Sequence, residues 1–171
     1  MVSVSACDGT VCVQDQTSMG IDDGAWHQVA VVRQQHAPLI VYIDCQLALK
    51  SSAFTTLQSD LGSLGFIAIG SSALSSFHPI SLSNIQLFSS ALDESFIGSA
   101  PCSPNAVMCF PLLNDSRFAI GVVSDASGYN NFGLIEGQAQ AFLQPFVPIY
   151  HTCPGGYEGN AYGNIIYIYN I

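Results

Sequence analysis

Between Trp26 and Ile43 the chain reads WHQVAVVRQQHAPLIVYI, two short apolar segments on either side of a polar, Pro-bearing break at Gln34 to Pro38. Each segment is too short for a stable helix and rich in β-branched residues, so the stretch predicts a β-hairpin. The same texture recurs throughout. VSVSA and VCVQ flank CDGT, where Asp8-Gly9 supplies the positive φ angles of a tight turn. LALKS, GFIAIG, SLSNIQLFSSAL, VMCFPLL, FAIGVV and FGLIEG follow, punctuated by Gly, Ser, Pro and Asp. Only ALDESFIG suggests a helical turn. Many short strands at this spacing predict an all-β sandwich or barrel. The last run, Ile165 to Ile171, has high β-propensity and no charge, which makes it a hazardous edge strand unless something pairs with it.

Composition excludes several partners. At 171 residues, 49% of them hydrophobic, the chain can bury a substantial core as one domain, or one domain with an arm. Its only basic side chains besides histidine are Arg33, Lys50 and Arg117, and the formal charge is -9. Nucleic acid binding needs clustered Lys and Arg, so nucleic acids and anionic membranes are poor partners. No segment approaches the roughly 18 consecutive apolar residues of a membrane span, so no membrane insertion is expected. The opening MVSVSACDGTVCVQ lacks the basic and long apolar regions of a secretory signal. For a secreted protein, Met1 would then be an internal residue of a processed or incomplete chain.

Secretion is expected from the six cysteines, Cys7, Cys12, Cys45, Cys102, Cys109 and Cys153, an even set suited to an oxidised framework. The gaps of 5, 33, 57, 7 and 44 lack the tight pairs of a zinc site. Fifteen connectivities are open to six cysteines. The two short gaps make Cys7 with Cys12 and Cys102 with Cys109 the simplest pairs, leaving Cys45 for Cys153.

From Asp23 onward the residues resemble the C-terminal half of laminin G-like and pentraxin-like domains, of the concanavalin A-like lectin/glucanase (jelly-roll) superfamily. The similarity lies in Asp23-Gly24, Trp26-His27, Tyr42-Ile43-Asp44, Ile69-Gly70, the strand Leu82 to Phe88, Ala91-Leu92 and Asp93 to Ile97, over residues 20 to 98. The resemblance implies an antiparallel jelly-roll β-sandwich in which the Trp packs structurally and the His pairs across the sheet. Cys45 departs from the family pattern by replacing the hairpin Gly, so that turn must tolerate a side chain or be shaped by a disulfide. Ser83 and Asn84 replace residues that are often acidic, which weakens a calcium site on that strand.

The second half, FPLLNDSRFAIGVVSDASGYNNFGLIEGQAQ, resembles the beginning of such a domain, with its turn at Asp125, Ser127, Gly128, Asn131 and Gly133. The implied division is a C-terminal-half-like portion at 1–99, a Pro/Ser/Cys linker at 100–106, and N-terminal-half-like strands with a Gly/Tyr-rich tail at 107–171. This reversed order fits a permuted sandwich, a slice across two tandem modules, or a sandwich completed by a neighbouring chain. In the third case Ile165, Ile166, Tyr167, Ile168 and Tyr169 would be the donated assembly strand. A core strand of the same module is the plainer reading.

Chemistry is sparse. His27, His36, His78 and His151 are scattered, no Ser or Cys lies in a nucleophile elbow, and Asp22-Asp23 and Asp93-Glu94 are adjacent, so each pair points to opposite faces of a strand. The Glu-x-Asp-x-x-Glu strand of the superfamily's glycosidases is missing, and no enzyme is expected. Calcium is the cofactor the resemblance suggests, with Asp125, Asn130 and Asn131 as its ligands. That turn offers one carboxylate where tight binding wants two or three, and a plain Asx-type turn is the other reading. Asn114-Asp115-Ser116 is a glycosylation sequon. The expectation is a secreted, non-catalytic structural or adhesive module of a glycosylated surface filament or coat, with itself as partner. A calcium-dependent carbohydrate-binding lectin module is the alternative, with glycans as partner.

Overall fold

The computed structural model describes residues 1–7, 11–25, 27–33, 36–57, 84–89, 102–111, 121–134 and 164–170. The expected strands GFIAIG and the ALDESFIG turn, together with Trp26, lie outside the described residues. The rest is all-β, with β1 Ser3–Cys7, β2 Cys12–Gln16, β3 His27–Arg33, β4 Leu39–Ile43, β5 Gln46–Ser51, β6 Ile85–Phe88, β7 Ala106–Phe110, β8 Val122–Ser124, β9 Phe132–Leu134 and β10 Asn164–Asn170. A 3₁₀ turn, Ser52–Thr56, follows β5.

One antiparallel sheet organises the molecule, in the order β5-β4-β3-β10-β6-β7, with two-stranded sheets β1-β2 and β8-β9 beside it. Strands from before and after residues 100–106 therefore share one sheet. The predicted hairpin is β3 with β4, in the register Val29↔Ile43 and Val31↔Val41. Because residues paired across an antiparallel ladder share a face, this register sorts the apolar side chains into two layers. Val29, Val31, Leu39, Val41 and Ile43 pack with Phe54 and Leu57 beneath the β1-β2 hairpin, which contributes Val2, Val4, Ala6 and Val13. Ala30, Val32 and Tyr42 pack on the opposite face with Phe88, Ala106 and Cys109. A sheet covered on both faces demands near-continuous apolar strands, which is why VAVV and LIVYI lack polar alternation. The β1-β2 hairpin has one wet face and alternates instead, with Ser3, Ser5, Gln14 and Gln16 exposed.

Thr17, 1% exposed, ties that hairpin shut. Its N–H donates to the Val2 carbonyl, and its hydroxyl accepts from the Val2 N–H at 3.0 Å while donating to the Met19 carbonyl. The C-terminal run, a hazardous edge only if left unpaired, is paired on both sides. β10 lies inside the sheet, paired with β3 from Asn164↔Arg33 to Asn170↔His27 and with β6 at Ile166↔Leu87 and Tyr167↔Gln86.

Candidate functional site

Two polar constellations stand out, one at each end of the sheet's strand order. The first begins at the β4-β5 turn, where Asp44 and Cys45 both have positive φ, 48° and 67°. Two such residues form the type I′ geometry that matches strand twist. Asp44 tolerates it as Asp often does. Cys45, in place of the hairpin glycine, is disulfide-bonded and half-buried against the Tyr42 layer.

The Asp44 side chain then finishes the ladder. Its Oδ1 accepts the Gln28 N–H at 2.8 Å, while its own N–H donates to the Gln28 carbonyl at 2.9 Å. Oδ2 lies 2.7 Å from His27 Nδ1, and His27 Nε2 lies 2.9 Å from Asp23 Oδ1. Carboxylates can only accept, so both hydrogen bonds form together only when the imidazole carries two protons. Burial works against that charge, but the bonds and attraction of Asp44 and Asp23 outweigh it and raise the His27 pKa. Bonds from His27 and the Ala25 N–H hold the Asp23 carboxyl below its usual range. With both ring nitrogens committed, His27 is a clamp across the sheet end, and no free ring nitrogen remains to act as a base.

The second constellation is the turn Asp125 to Asn131. Asp125 Oδ1 accepts the N–H groups of Cys109 at 2.8 Å and Ser127 at 2.9 Å. Oδ2 accepts from the Ser127 hydroxyl at 2.7 Å and from the Asn131 N–H and Nδ2 at 3.1 and 2.7 Å. Gly128 and Asn130 supply the left-handed backbone the turn needs, at φ 89° and 58°. Burial pushes the Asp125 carboxyl up, yet the converging donors prevail and bring its pKa down to about 2. The resemblance put calcium at Asp125, Asn130 and Asn131. Here five donors already meet a carboxylate with about four acceptor sites, so a cation at these oxygens would have to displace them. Among the described residues no group of three or more His, Cys, Asp or Glu is placed to hold a metal.

The other residues singled out from sequence are spread around these two. Cys102 and Cys109 form a disulfide, which staples the segment before β7 to the strand itself. Cys12 is disulfide-bonded and stands opposite Cys7 in the β1-β2 register. Ile165 to Tyr169 lie in β10. His36 is exposed, with φ 60°, between β3 and β4. Cys153, Asn114, His78, His151, Asp93 and Glu94 lie outside the described residues. Sequence reading missed the second job of Asp44 and the docking of the Asp125 turn on β7. An Asp at the first position of a two-residue turn was the available signal for the former. No helix among the described residues is long and apolar enough to cross a membrane. Comparison of the chain with protein-family models, curated proteins and solved structures finds no match in any of the three.

Proposed function

We propose that this chain is a secreted, non-catalytic structural or adhesive module, a laminin G-like jelly-roll sandwich that serves as a subunit or repeat of a glycosylated filament or coat. In this reading disulfides hold each module and β-strands join one module to the next. The observation that supports it most is the place of β10. Seven residues without a charge, Asn164 to Asn170, occupy a central slot between β3 and β6, with 29 residues separating them from β9. The same slot accepts the same strand from a second copy with every ladder hydrogen bond kept, so exchange costs little beyond association itself. Exchange in a ring closes an oligomer, and exchange that does not close builds a filament. The paired carboxylates at His27 and the filled hydrogen-bonding capacity of Asp125 support structural work over catalysis at those two places.

The test uses the register pair Val29↔Ile168. Chains carrying Val29→Cys are mixed with chains carrying Ile168→Cys, held under native oxidising conditions, and run on a non-reducing gel. Exchange predicts a disulfide-linked dimer containing one chain of each kind. Exclusively unlinked chains, alongside efficient internal closure in the Val29→Cys, Ile168→Cys double variant, would refute strand exchange and leave β10 as a permanent part of its own sandwich.

A further inference from the structure

The two ends of the six-stranded sheet are treated differently. β5, at one end, carries Lys50 on its exposed side and meets β4 with a register shift at Val41/Tyr42, two devices that discourage pairing with another chain. β7, at the other end among the described residues, shares the second device, since its ladder with β6 shifts register at Leu87/Phe88 and leaves Val107 as the extra residue, but it lacks the first. Its sequence, AVMCF, is uncharged and lacks proline, and β6 is its strand partner in the sheet. A bulge alone, with no charge or proline beside it, leaves such an edge able to template a further strand.

What meets that edge is the Asp125 turn. Cys109 turns both its N–H and its carbonyl toward the turn, and Val107, the bulged residue, turns its carbonyl the same way. The Cys109 N–H donates to Asp125 Oδ1 at 2.8 Å, and the Cys109 carbonyl accepts the Ala126 N–H at 2.8 Å. The Val107 carbonyl accepts from Asn131 Nδ2 at 2.8 Å and lies 3.2 Å from the Ser127 hydroxyl. A side-chain carboxylate thus stands in for a strand carbonyl and a side-chain amide for a strand N–H. The imitation cannot propagate, because the turn ends the ladder in side chains and left-handed backbone, where a true strand would present a new row of backbone groups.

We propose that the Asp125–Asn131 turn is an edge stop that withholds β7 from a second copy of this chain. A bare β7 edge is self-complementary under a twofold axis, since two identical strands running antiparallel satisfy each other's outward groups. Every other copy is therefore a competent partner, and β7–β7 pairing is the contact the turn prevents. This stands apart from β10 exchange, which uses an interior slot and leaves the β7 edge untouched.

The experiment compares the full oxidised chain with Asn131→Ala and with the Asp125→Asn, Asn131→Ala double variant, by sedimentation over a concentration series with circular dichroism alongside. The variants are expected to keep their β signature and to self-associate roughly tenfold or more tightly than the parent, about 1.4 kcal/mol or more in affinity. Adding Val107→Lys, which places a charge on the edge, is expected to reverse the gain. Asn131→Ala leaves the Asp125 bond to Cys109 in place, so it remains informative if the double variant does not fold. Folded Asn131→Ala with the parent's mass at every concentration overturns the proposal, and so does association that Val107→Lys does not reduce. The Val29→Cys with Ile168→Cys cross-link reports on β10 and is expected to be the same with or without Asn131→Ala.

Discussion

Replacing Asp125 by Asn keeps the size of the side chain but removes the charge on which five donors converge. The cost follows from its titration. The carboxyl drops from an ordinary 3.8 to about 2 in the fold, a difference of about 1.8 units, or about 2.4 kcal/mol at 1.36 kcal/mol per unit. Asp125 is partly exposed, and solvent screening reduces the figure to about 1–2 kcal/mol. Because the folded value is the depressed one, this stability is fully present above pH 3.8 and is lost as pH falls through about 2. For a chain of this size each kcal/mol shifts Tm by about 2–4 °C. Asp125→Asn should therefore melt about 2–8 °C below the parent at pH 7, with the gap closing toward pH 2. Asp125→Ala should cost about 1–3 kcal/mol more, because the N–H of Cys109, a residue with 0% exposure, loses its acceptor. Thermal melts followed by circular dichroism at pH 7, 4 and 2 provide the comparison. Equal Tm values for parent and Asp125→Asn at pH 7, or a gap unchanged at pH 2, would refute the reasoning.

Three further outcomes are expected. The His27 pKa is raised in the fold, so its clamp is fully stabilising below the ordinary 6.5 and weakens as pH climbs through the raised value; His27→Gln should lose stability against the parent at pH 6 and much less at pH 9, and an NMR titration of the ring should show the upward shift. Phe54 is 1% exposed beneath the β1-β2 hairpin, so Phe54→Ala should lower the denaturant-derived stability by about 3–5 kcal/mol. The Cys102–Cys109 bond closes a loop of separation 7, and chain-entropy arguments assign it about 2.5 kcal/mol; the Cys102→Ser, Cys109→Ser double variant should show that loss without a change in the denaturant slope.

The strands were the most legible part of this protein. VAVVR and LIVYI declare themselves because a buried strand needs β-branched side chains and a helix of that length does not hold, and both physical requirements act within a few residues. The Cys102–Cys109 pair was legible for the same reason, since a gap of 7 brings two thiols together by local chain geometry. The Asp125 turn was recognisable as a turn from Asp-x-Ser-Gly, but its partner was not. The group it satisfies, the Cys109 N–H, is 16 residues away, and nothing in the local pattern says which strand edge a polar turn will face. His27 was expected to pair across the sheet, although its two carboxylates, one four residues before it and one 17 after, come together only once β3 and β4 are in register.

β10 marks the boundary most sharply. NIIYIYN by itself determines that the segment is a strand and that it must be paired, because charge-free, β-branched residues expose a costly edge otherwise. It does not determine where. Whether such a strand lies outside, inside, or in a neighbour depends on which slot in the sheet has both sides open, and that is a property of β3 and β6 together. The sequence alone set the elements, the oxidised character and the absence of a basic surface, all of which rest on local propensity and composition. Only the tertiary structure decided that the last strand stands between two others in the middle of the sheet, and that a side-chain carboxylate closes the ladder at one end and covers the edge at the other, because hydrogen bonds between distant segments are settled by register and not by spacing along the chain.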